Sequence, residues 1–413
     1  MSRPPLRVAV LGAGTVGRHV AAAFQTMPER LAPADGAALV LAGVAVRDVE
    51  RARERGIAAD LLTDAPAHLV ASPEIDVVVE LLGGDEPART LIAAALGAGK
   101  PVVTANKHVV AHHGPSLEAI ARRAGVALRF EAAVGGGIPV LGPLAAELAA
   151  NRIESIRGIV NGTTNVILSA MAEHGRTYAE ALAAAQRAGY AEADPSGDVD
   201  GDDAVNKLVI LARLAFGLWL EPASIERCPP TVTGRGQPGI SGVRADEVAA
   251  ATAHGLALRL IASARRGLDE AIIASVLPTA VPATSSFGQT SGVVNRIEIN
   301  GSPLGQIALV GPGAGGLSTS SAVLGDLIAV ARSDASTWAG LAPAVGPAIP
   351  AAADERPRRR FFASTLPDQL VRDQVEIEVA RAGGFITMAQ PLGELRAALA
   401  AAGVDATLYP IDG

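Results

Sequence analysis

The densest group of ionisable side chains lies between Glu192 and Asp203. One glutamate and five aspartates fall within these twelve residues, and an apolar segment containing Lys207 follows. If that segment is a helix, Asp203 and Lys207 share one of its faces. A lysine beside carboxylates at the start of a buried helix could transfer a proton, although the spacing also fits a surface ion pair. The loop itself could bind a divalent metal, an amino group or only solvent.

A glycine-rich turn follows the first apolar run of the chain. Its six residues, 12–17, read GAGTVG and have the spacing of dinucleotide-binding turns. The first glycine permits a tight turn, the second lets the backbone approach a pyrophosphate, and the third lets strand and helix pack closely. The helix N-terminus then offers free N–H groups to the phosphate. We therefore predict that a dinucleotide is bound by Gly12, Gly14, Thr15, Val16 and Gly17.

The second predicted strand ends at Arg47, which Asp48 follows. An acidic residue at this place commonly binds the ribose 2′-hydroxyl of NAD, whereas an arginine can hold the 2′-phosphate of NADP. Asp48 could equally be the N-cap of the next helix. We expect NADP(H) to be preferred and NAD(H) to remain possible.

Other candidates follow predicted strands or lie in glycine-rich turns. Thr104 and Lys107 come after an apolar strand, and the carboxyl ends of parallel strands bind ligands, so both could contact the cofactor. Lys107 could also be an ordinary surface lysine. The turns at 130–139 and 311–318 could direct backbone groups at an ion or ligand, or could only be loops that need positive φ. In the segment NGTTN (161–165), a Thr or Asn side chain is expected to cap a helix.

Apolar runs of strand length alternate with helical segments over the first 130 residues. They predict an α/β fold with an N-terminal Rossmann domain, which is a doubly wound parallel sheet. Beyond it the pattern indicates an irregular α+β region, and a Pro/Ala-rich linker precedes a short tail. The predicted divisions are 1–130 for the nucleotide-binding domain, 131–317 for the α+β domain, a helix at 318–332, a linker at 341–356 and a tail at 357–413.

Composition excludes several classes of protein. The 413 residues are 49% hydrophobic and carry a net charge of −7, which argues against a nucleic-acid surface. The single cysteine, Cys228, cannot form an intrachain disulfide, and no apolar run is long enough to span a bilayer. The N-terminus lacks the features of a signal peptide. We therefore expect a cytoplasmic protein that does not bind membranes.

Seven segments, in order between residues 6 and 332, resemble the homoserine dehydrogenase family. They are GAGTVG (12–17), VVVELLGG (77–84), VVTANK (102–107), FEAAVGGGIP (130–139), GIVNGTTNVIL (158–168), GYAEADPSGDVDGDDAVNKL (189–208) and GPGAGGLSTSSAVLGD (311–326). The resemblance implies hydride transfer between NADP(H) and the pair L-homoserine and L-aspartate 4-semialdehyde, on the route to threonine, methionine and isoleucine. It also implies that the second domain is catalytic and forms a homodimer.

The resemblance assigns roles to individual residues. Lys207 corresponds to the family's proton-transfer lysine, and Lys107 to a lysine at the nicotinamide and substrate site. Carboxylates that bind homoserine correspond to Glu192 and Asp203, with Asp198 in the same loop. Cofactor-site glycines correspond to Gly189 and Gly313. A site for a monovalent cation, Na⁺ or K⁺, held largely by backbone oxygens, corresponds to Glu131, Val134, Gly136 and Ile138.

The tail departs from the family pattern. Many members end in an ACT domain, a βαββαβ ligand-binding module with a Pro-Gly turn. Here the corresponding segment, LPDQLVRDQ (366–374), has no such turn, and about 57 residues are few for six elements. We expect a degenerate or partial ACT-like tail. Two rival functions remain, namely another amino-acid dehydrogenase or a catalytically silent NADP-binding sensor.

Overall fold

The computed structural model describes residues 3–412 except Leu268, Ala339, Val345, 355–357, Leu366, Asp368 and Ala382. Parts of the predicted linker and tail therefore lie outside the described residues. The described part of the linker runs along the second domain, where Ile349 forms a bridge with Leu220 and Ala352 one with Ile273.

The N-terminal domain contains one six-stranded parallel sheet, as predicted. Its strands are β1 (Leu6–Leu11), β2 (Leu39–Ala45), β3 (Leu62–Thr63), β4 (Val77–Glu80), β5 (Val102–Thr104) and β6 (Leu128–Arg129). They lie in the order β3-β2-β1-β4-β5-β6 and pair in parallel throughout. The order reverses between β1 and β4, which is where doubly wound sheets bind ligands.

Five helices connect these strands. They are α1 (Gly17–Thr26), α2 (Val49–Glu54), α3 (Pro66–Ala71), α4 (Ala88–Gly97) and α5 (Lys107–Ala124). From the sequence pattern alone, we predict a helix only over residues 115–124 in place of α5. The helix begins eight residues earlier and includes Pro115 in its interior. Because proline is favoured in the first turn of a helix and disfavoured later, the sequence alone favoured the shorter helix.

The second domain is built on a five-stranded antiparallel sheet. Its strands are β7 (Arg152–Ile159), β8 (Leu256–Arg266), β9 (Ile272–Pro282), β10 (Val294–Ser302) and β11 (Gly305–Pro312), in the order β11-β10-β7-β8-β9. The helices are α6 (Leu141–Ala145), α7 (Gly162–His174), α8 (Tyr178–Arg187), α9 (Ser196–Val199), α10 (Asp202–Phe216), α11 (Ala245–Ala253) and α12 (Ser286–Gln289). Helix α10 lies in the core, with Leu208, Val209 and Ile210 fully buried. Strand β8 was not predicted from the sequence.

A helix after the second domain returns to the first. Helix α13 (Gly316–Ala331) buries Val323, Leu327 and Val330 in the same apolar cluster as Val8 and Val20 of the Rossmann domain. The Gly-rich turn at its start is thereby held against the glycine-rich turn that follows β1. The two turns approach closely, because a Cβ atom at Gly316 would lie 2.6 Å from the Thr15 carbonyl oxygen.

The tail forms all six elements of a βαββαβ module, so the expectation that it was too short for them is wrong. The elements are β12 (Phe361–Ala363), α14 (Gln369–Gln374), β13 (Ile377–Arg381), β14 (Gly384–Thr387), α15 (Leu392–Ala401) and β15 (Leu408–Pro410). The strands lie in the order β13-β14-β12-β15. Six elements fit because the strands are only three to five residues long.

One buried and one partly buried polar contact attach the tail to the second domain. The Tyr409 hydroxyl donates to Glu247 Oε2 at 2.7 Å, and Asp412 pairs with Arg157 at 2.8 Å. Burial and the Glu247 charge raise the pKa of the Tyr409 phenol well above its usual value. The tail is therefore packed on α11 and on the antiparallel sheet. Among the described residues, no helix is long and apolar enough to cross a membrane.

The Tyr409 contact leads to a stability prediction. Replacing Tyr409 by phenylalanine should lower the free energy of unfolding by about 1–2 kcal/mol, since the buried Glu247 carboxylate loses a donor. Chemical denaturation followed by circular dichroism measures this change. Tyr190→Phe is the matched control, because Tyr190 is half exposed. Equal stability of Tyr409→Phe and the unaltered protein would contradict the proposed role of this contact.

Candidate active site

A cavity of about 610 Å³ lies between the carboxyl edge of the parallel sheet and the second domain. Predicted site residues from both domains line it. They are Val16, Lys107, Gly136, Gly189, Asp198, Asp203, Lys207 and Gly313. Asn161, Thr163 and Tyr190 also line the cavity, although no role in binding was predicted for them.

A carboxylate between two ammonium groups forms the centre of this cavity. Lys207 Nζ donates to Asp203 Oδ2 at 2.7 Å, and Lys107 Nζ lies 3.2 Å from Asp203 Oδ1. Burial alone would raise the pKa of Asp203, but the two lysines hold it well below its usual range. In turn the Asp203 charge raises the pKa of Lys107. Asp203 and Lys107 are therefore both ionised at neutral pH in the absence of a ligand.

Two helix starts bring these residues together. Helix α10 follows Gly201, whose φ of +89° suits glycine, and it presents Asp203 and Lys207 on one face. Helix α5 begins at Lys107, and the Asn106 side chain caps it by accepting from the Val109 N–H at 3.1 Å. The sequence predicted the first pairing from spacing alone. The approach of Lys107 to Asp203 depends on the packing of α5 against α10, and these two helices are far apart in the chain.

Asn161 connects Asp198 and Asp203, and sequence reasoning missed this role. Its Oδ1 caps α7 by accepting from the Thr164 N–H at 2.8 Å, as expected. Its Nδ2 also donates to Asp198 Oδ1 at 2.7 Å and to Asp203 Oδ2 at 2.8 Å. The cap therefore fixes the amide so that its donors face two carboxylates that would otherwise repel each other.

The remaining acidic residue of the predicted set lies outside the cavity lining. The Glu192 side chain is exposed, although its charge contributes to the raised pKa of Lys107. Thr163 reinforces the position of Asp198 instead, with its hydroxyl 3.0 Å from Asp198 Oδ2. In the described residues, no group of three or more His, Cys, Asp and Glu side chains could hold a metal ion.

A second cavity, of about 220 Å³, lies beside the glycine-rich turn. Gly12, Gly14 and Arg47 line it, together with Arg51 and Arg55. Asp48 also borders this cavity, but its Oδ1 caps α2 by accepting from the Arg51 N–H at 2.9 Å. The carboxylate is thus already engaged, while three guanidinium groups surround the space.

The glycines of the turn have the geometry that their spacing predicted. Gly12 has a φ of +102°, and a Cβ atom there would lie 2.6 Å from the Leu81 carbonyl oxygen. A Cβ atom at Gly17 would lie 1.8 Å from the Gly12 carbonyl oxygen, whereas one at Gly14 would meet nothing within 4 Å. Gly14 therefore faces open space. Thr104 is turned away from both cavities, because its hydroxyl donates to Glu80 Oε2 at 2.6 Å.

The segment 131–138 is a tight loop beside the larger cavity. The Glu131 carboxylate accepts from the N–H groups of Val140, Leu141 and Gly142 at 2.7–2.9 Å, so it caps α6. Burial raises the pKa of this carboxyl group. Within the described part of the chain, no backbone hydrogen bond uses the carbonyl oxygens of Val134, Gly136 or Ile138.

Comparisons with known proteins agree with this geometry. Residues 12–131 match the model of the homoserine dehydrogenase NAD-binding domain, and 139–328 match that of homoserine dehydrogenase. The homoserine dehydrogenase of Corynebacterium glutamicum is 42% identical over 329 residues, which is 79% of this chain and 72% of that protein. That of Mycobacterium tuberculosis is 42% identical over 332 residues, with 79% and 73% covered.

Solved structures extend the likeness to the tail. A homoserine dehydrogenase from Thiobacillus denitrificans superposes with a TM-score of 0.87 at 32% identity, over 100% of this chain and 99% of that chain. A hyperthermophilic archaeal homoserine dehydrogenase in complex with NADPH gives 0.65 at 28% identity, over 79% of this chain and 97% of that chain. The chain belongs to the homoserine dehydrogenase family, whose members are NAD(P)-dependent oxidoreductases that act on a CH–OH group.

Proposed function

We propose that this protein interconverts L-homoserine and L-aspartate 4-semialdehyde with NADP(H), in the supply of threonine, methionine and isoleucine. The observation that carries the proposal is the cluster of Lys207, Asp203 and Lys107, with both ammonium nitrogens within 3.2 Å of the carboxylate, in a cavity at the carboxyl edge of a Rossmann sheet. Reduction of NADP⁺ by the purified protein with L-homoserine tests it directly. Absence of turnover, with folding intact, would favour the rival interpretation of a silent sensor.

The cofactor would lie along both cavities. Its pyrophosphate would be placed at the turn of residues 12–17, where Gly14 leaves room for close approach. A 2′-phosphate would be placed among Arg47, Arg51 and Arg55, because Asp48 is engaged as a helix cap. The nicotinamide would then reach Val16, Gly189 and Gly313 in the larger cavity.

Lys207 would move the proton. Two of its three N–H groups are engaged, by Asp203 and by the Val160 carbonyl oxygen at 2.7 Å. The third has no acceptor among the described residues and can face the substrate oxygen in the cavity. A bound nicotinamide supplies the hydride to the aldehyde carbon. As charge develops on the oxygen, the Lys207 ammonium stabilises it and donates a proton. Lys107 adds a second positive charge beside the same carboxylate.

The carboxylates would recognise the α-ammonium group of the substrate. Asp198 and Asp203 line the cavity, and Glu192 lies close enough to affect Lys107 electrostatically. The Asn161 amide holds the first two in place. The α-carboxylate of the substrate would be left to face Lys107, which is 40% exposed.

Backbone oxygens would bind a monovalent cation, Na⁺ or K⁺. Support comes from the carbonyl groups of Val134, Gly136 and Ile138, which no backbone donor of the described residues uses, and from the oxygen-only donor set. Glu131 would take part through its backbone oxygen, since its carboxylate caps α6. Such a cation would stiffen the loop that contains Gly136. This loop packs closely against Gly313, since a Cβ atom at Gly136 would lie 2.8 Å from the Gly313 carbonyl oxygen.

We also propose that the protein is a homodimer formed through the second domain. Strand β11 is an edge strand of the antiparallel sheet, and Val310 on it is 53% exposed. An unpaired edge with exposed apolar side chains favours association with a second copy.

We propose that the tail is an ACT-like module that packs on the second domain but does not bind a regulatory ligand. The support that remains for this proposal is the absence of the Pro-Gly turn from its sequence.

Lys207→Ala should lower kcat by about 10²-fold or more, the usual scale for a positioned acid or base. Steady-state rates with homoserine at saturation give this value. Circular dichroism and NADP⁺ affinity serve as controls, and both should match those of the unaltered protein. Near-normal kcat would remove Lys207 from the mechanism.

Asp203→Asn should raise KM for homoserine by about 10-fold or more, because a hydrogen bond to a charged group contributes about 1.5–3 kcal/mol. KM for the cofactor should change far less. Asp202→Asn is the matched control, since Asp202 lies at the same helix start but pairs with Arg227 outside the cavity. Equal homoserine KM values in the two variants would refute substrate binding by Asp203.

Arg47→Ala should raise KM for NADP⁺ by about 10-fold and leave KM for NAD⁺ almost unchanged, because only NADP⁺ carries the 2′-phosphate. Arg53→Ala is the control, since Arg53 pairs with Glu50 and does not line the cavity. A clear preference of the unaltered protein for NAD⁺ would show that Asp48 sets the specificity instead.

A further inference from the structure

Asn295, on strand β10, is buried beneath the active-site cavity. Its side chain is fully inaccessible to solvent, and Nδ2 donates to the Val160 carbonyl oxygen at 3.0 Å. Its Oδ1 has no hydrogen-bond partner among the described residues. A buried amide oxygen without a donor is unfavourable, and a leucine of similar volume would avoid that cost. Stability alone therefore does not account for an asparagine at this place.

The Val160 carbonyl oxygen has a second donor, which is the ammonium group of Lys207. The distance from Lys207 Nζ to this oxygen is 2.7 Å. Val160 directly follows strand β7, so no strand pairing fixes its peptide plane. The hydrogen bond from the Asn295 amide to the Val160 carbonyl oxygen restrains this peptide plane instead. The Val160 carbonyl group and the Asp203 carboxylate are the two acceptors that hold the Lys207 ammonium group, so the orientation of this carbonyl helps to set where the third N–H points.

Gly313 closes the other side of the Asn295 side chain. A Cβ atom at Gly313 would lie 1.9 Å from Asn295 Nδ2 and 2.0 Å from Cγ. The space that a side chain would need at residue 313 is therefore filled by the amide. Since Gly313 also lines the larger cavity, Asn295 lies between the wall of the cofactor cleft and the lysine.

We propose that Asn295 is a positioning residue, which orients the Val160 carbonyl group and through it the ammonium group of Lys207. The inference rests on the proposed role of Lys207 in proton transfer. It assigns Asn295 no contact with substrate or cofactor. Loss of the amide should therefore slow turnover without weakening the binding of either ligand.

Asn295→Leu tests the proposal because it removes the donor at nearly constant volume. We expect kcat to fall by about 10- to 100-fold, the scale of a misplaced catalytic group, with both KM values within about 2-fold. Asn300→Leu is the matched control, since Asn300 lies on the same strand but is exposed. A rise in KM for the cofactor with normal kcat would overturn the proposal, because it would show that Asn295 only supports the wall of the cofactor cleft at Gly313.

Combination with Lys207→Ala shows whether Asn295 acts through the lysine. If it does, Asn295→Leu should cause no further loss of kcat in the Lys207→Ala background. Independent, multiplying losses would overturn the proposal. A fully active Lys207→Ala variant would instead refute the proposed function of Lys207. An inactive Lys207→Ala with a normal Asn295→Leu would refute only the role of Asn295.

Asn295→Asp keeps the proposal testable if the leucine variant does not fold. A neutral carboxyl group can donate its O–H to the Val160 oxygen, whereas the ionised group cannot and repels it. Burial disfavours ionisation of the introduced acid. We therefore expect kcat of Asn295→Asp, relative to the unaltered protein, to be highest at low pH and to decrease as pH rises. A constant ratio across pH would overturn the proposal.

Discussion

The Asp203 carboxylate, whose side chain is only 11% exposed, is the constraint on which the active site depends. A carboxylate with so little contact with water persists only if positive charge and donors surround it. Lys207, Lys107 and the Asn161 amide meet that requirement, and each comes from a different element. Helix α10, helix α5 and the cap of α7 must therefore meet at one point. A substrate ammonium group that enters the cavity joins a cluster whose geometry is already fixed.

A second buried ion pair holds the two lysine-bearing helices together. Glu118 of α5 accepts from Arg213 of α10 at 2.7 and 3.0 Å, and from the Trp219 indole at 2.9 Å. Burial would raise the pKa of Glu118, but these partners keep it below its usual value. Replacing Glu118 would leave the fully buried guanidinium group of Arg213 without its carboxylate partner, which is strongly unfavourable. The pair thus fixes the relative position of the helices whose N-terminal ends carry Lys107 and Lys207.

The sequence pattern predicted those parts of the structure that depend on residues close together in the chain. Strands β1, β2, β4 and β5 are continuous apolar runs, and the turn at residues 12–17 has steric requirements that only glycine meets. The face shared by Asp203 and Lys207 follows from helical periodicity alone. The expectation for the tail was wrong because six elements do fit into about 57 residues when the strands are only three to five residues long. They are stabilised by pairing with each other and by packing on α11 and β9.

By itself the sequence determined the dinucleotide fold, the acidic loop and its lysine, because backbone sterics and helix periodicity act between near neighbours. Only the tertiary structure decided which of those residues meet. It brought Lys107 to Asp203, turned Thr104 toward Glu80, used Asp48 and Glu131 as helix caps, and placed Asn295 beneath Val160. The reason is physical: a buried polar group takes the partners that packing brings within about 3 Å, and the chain pattern does not record those distances.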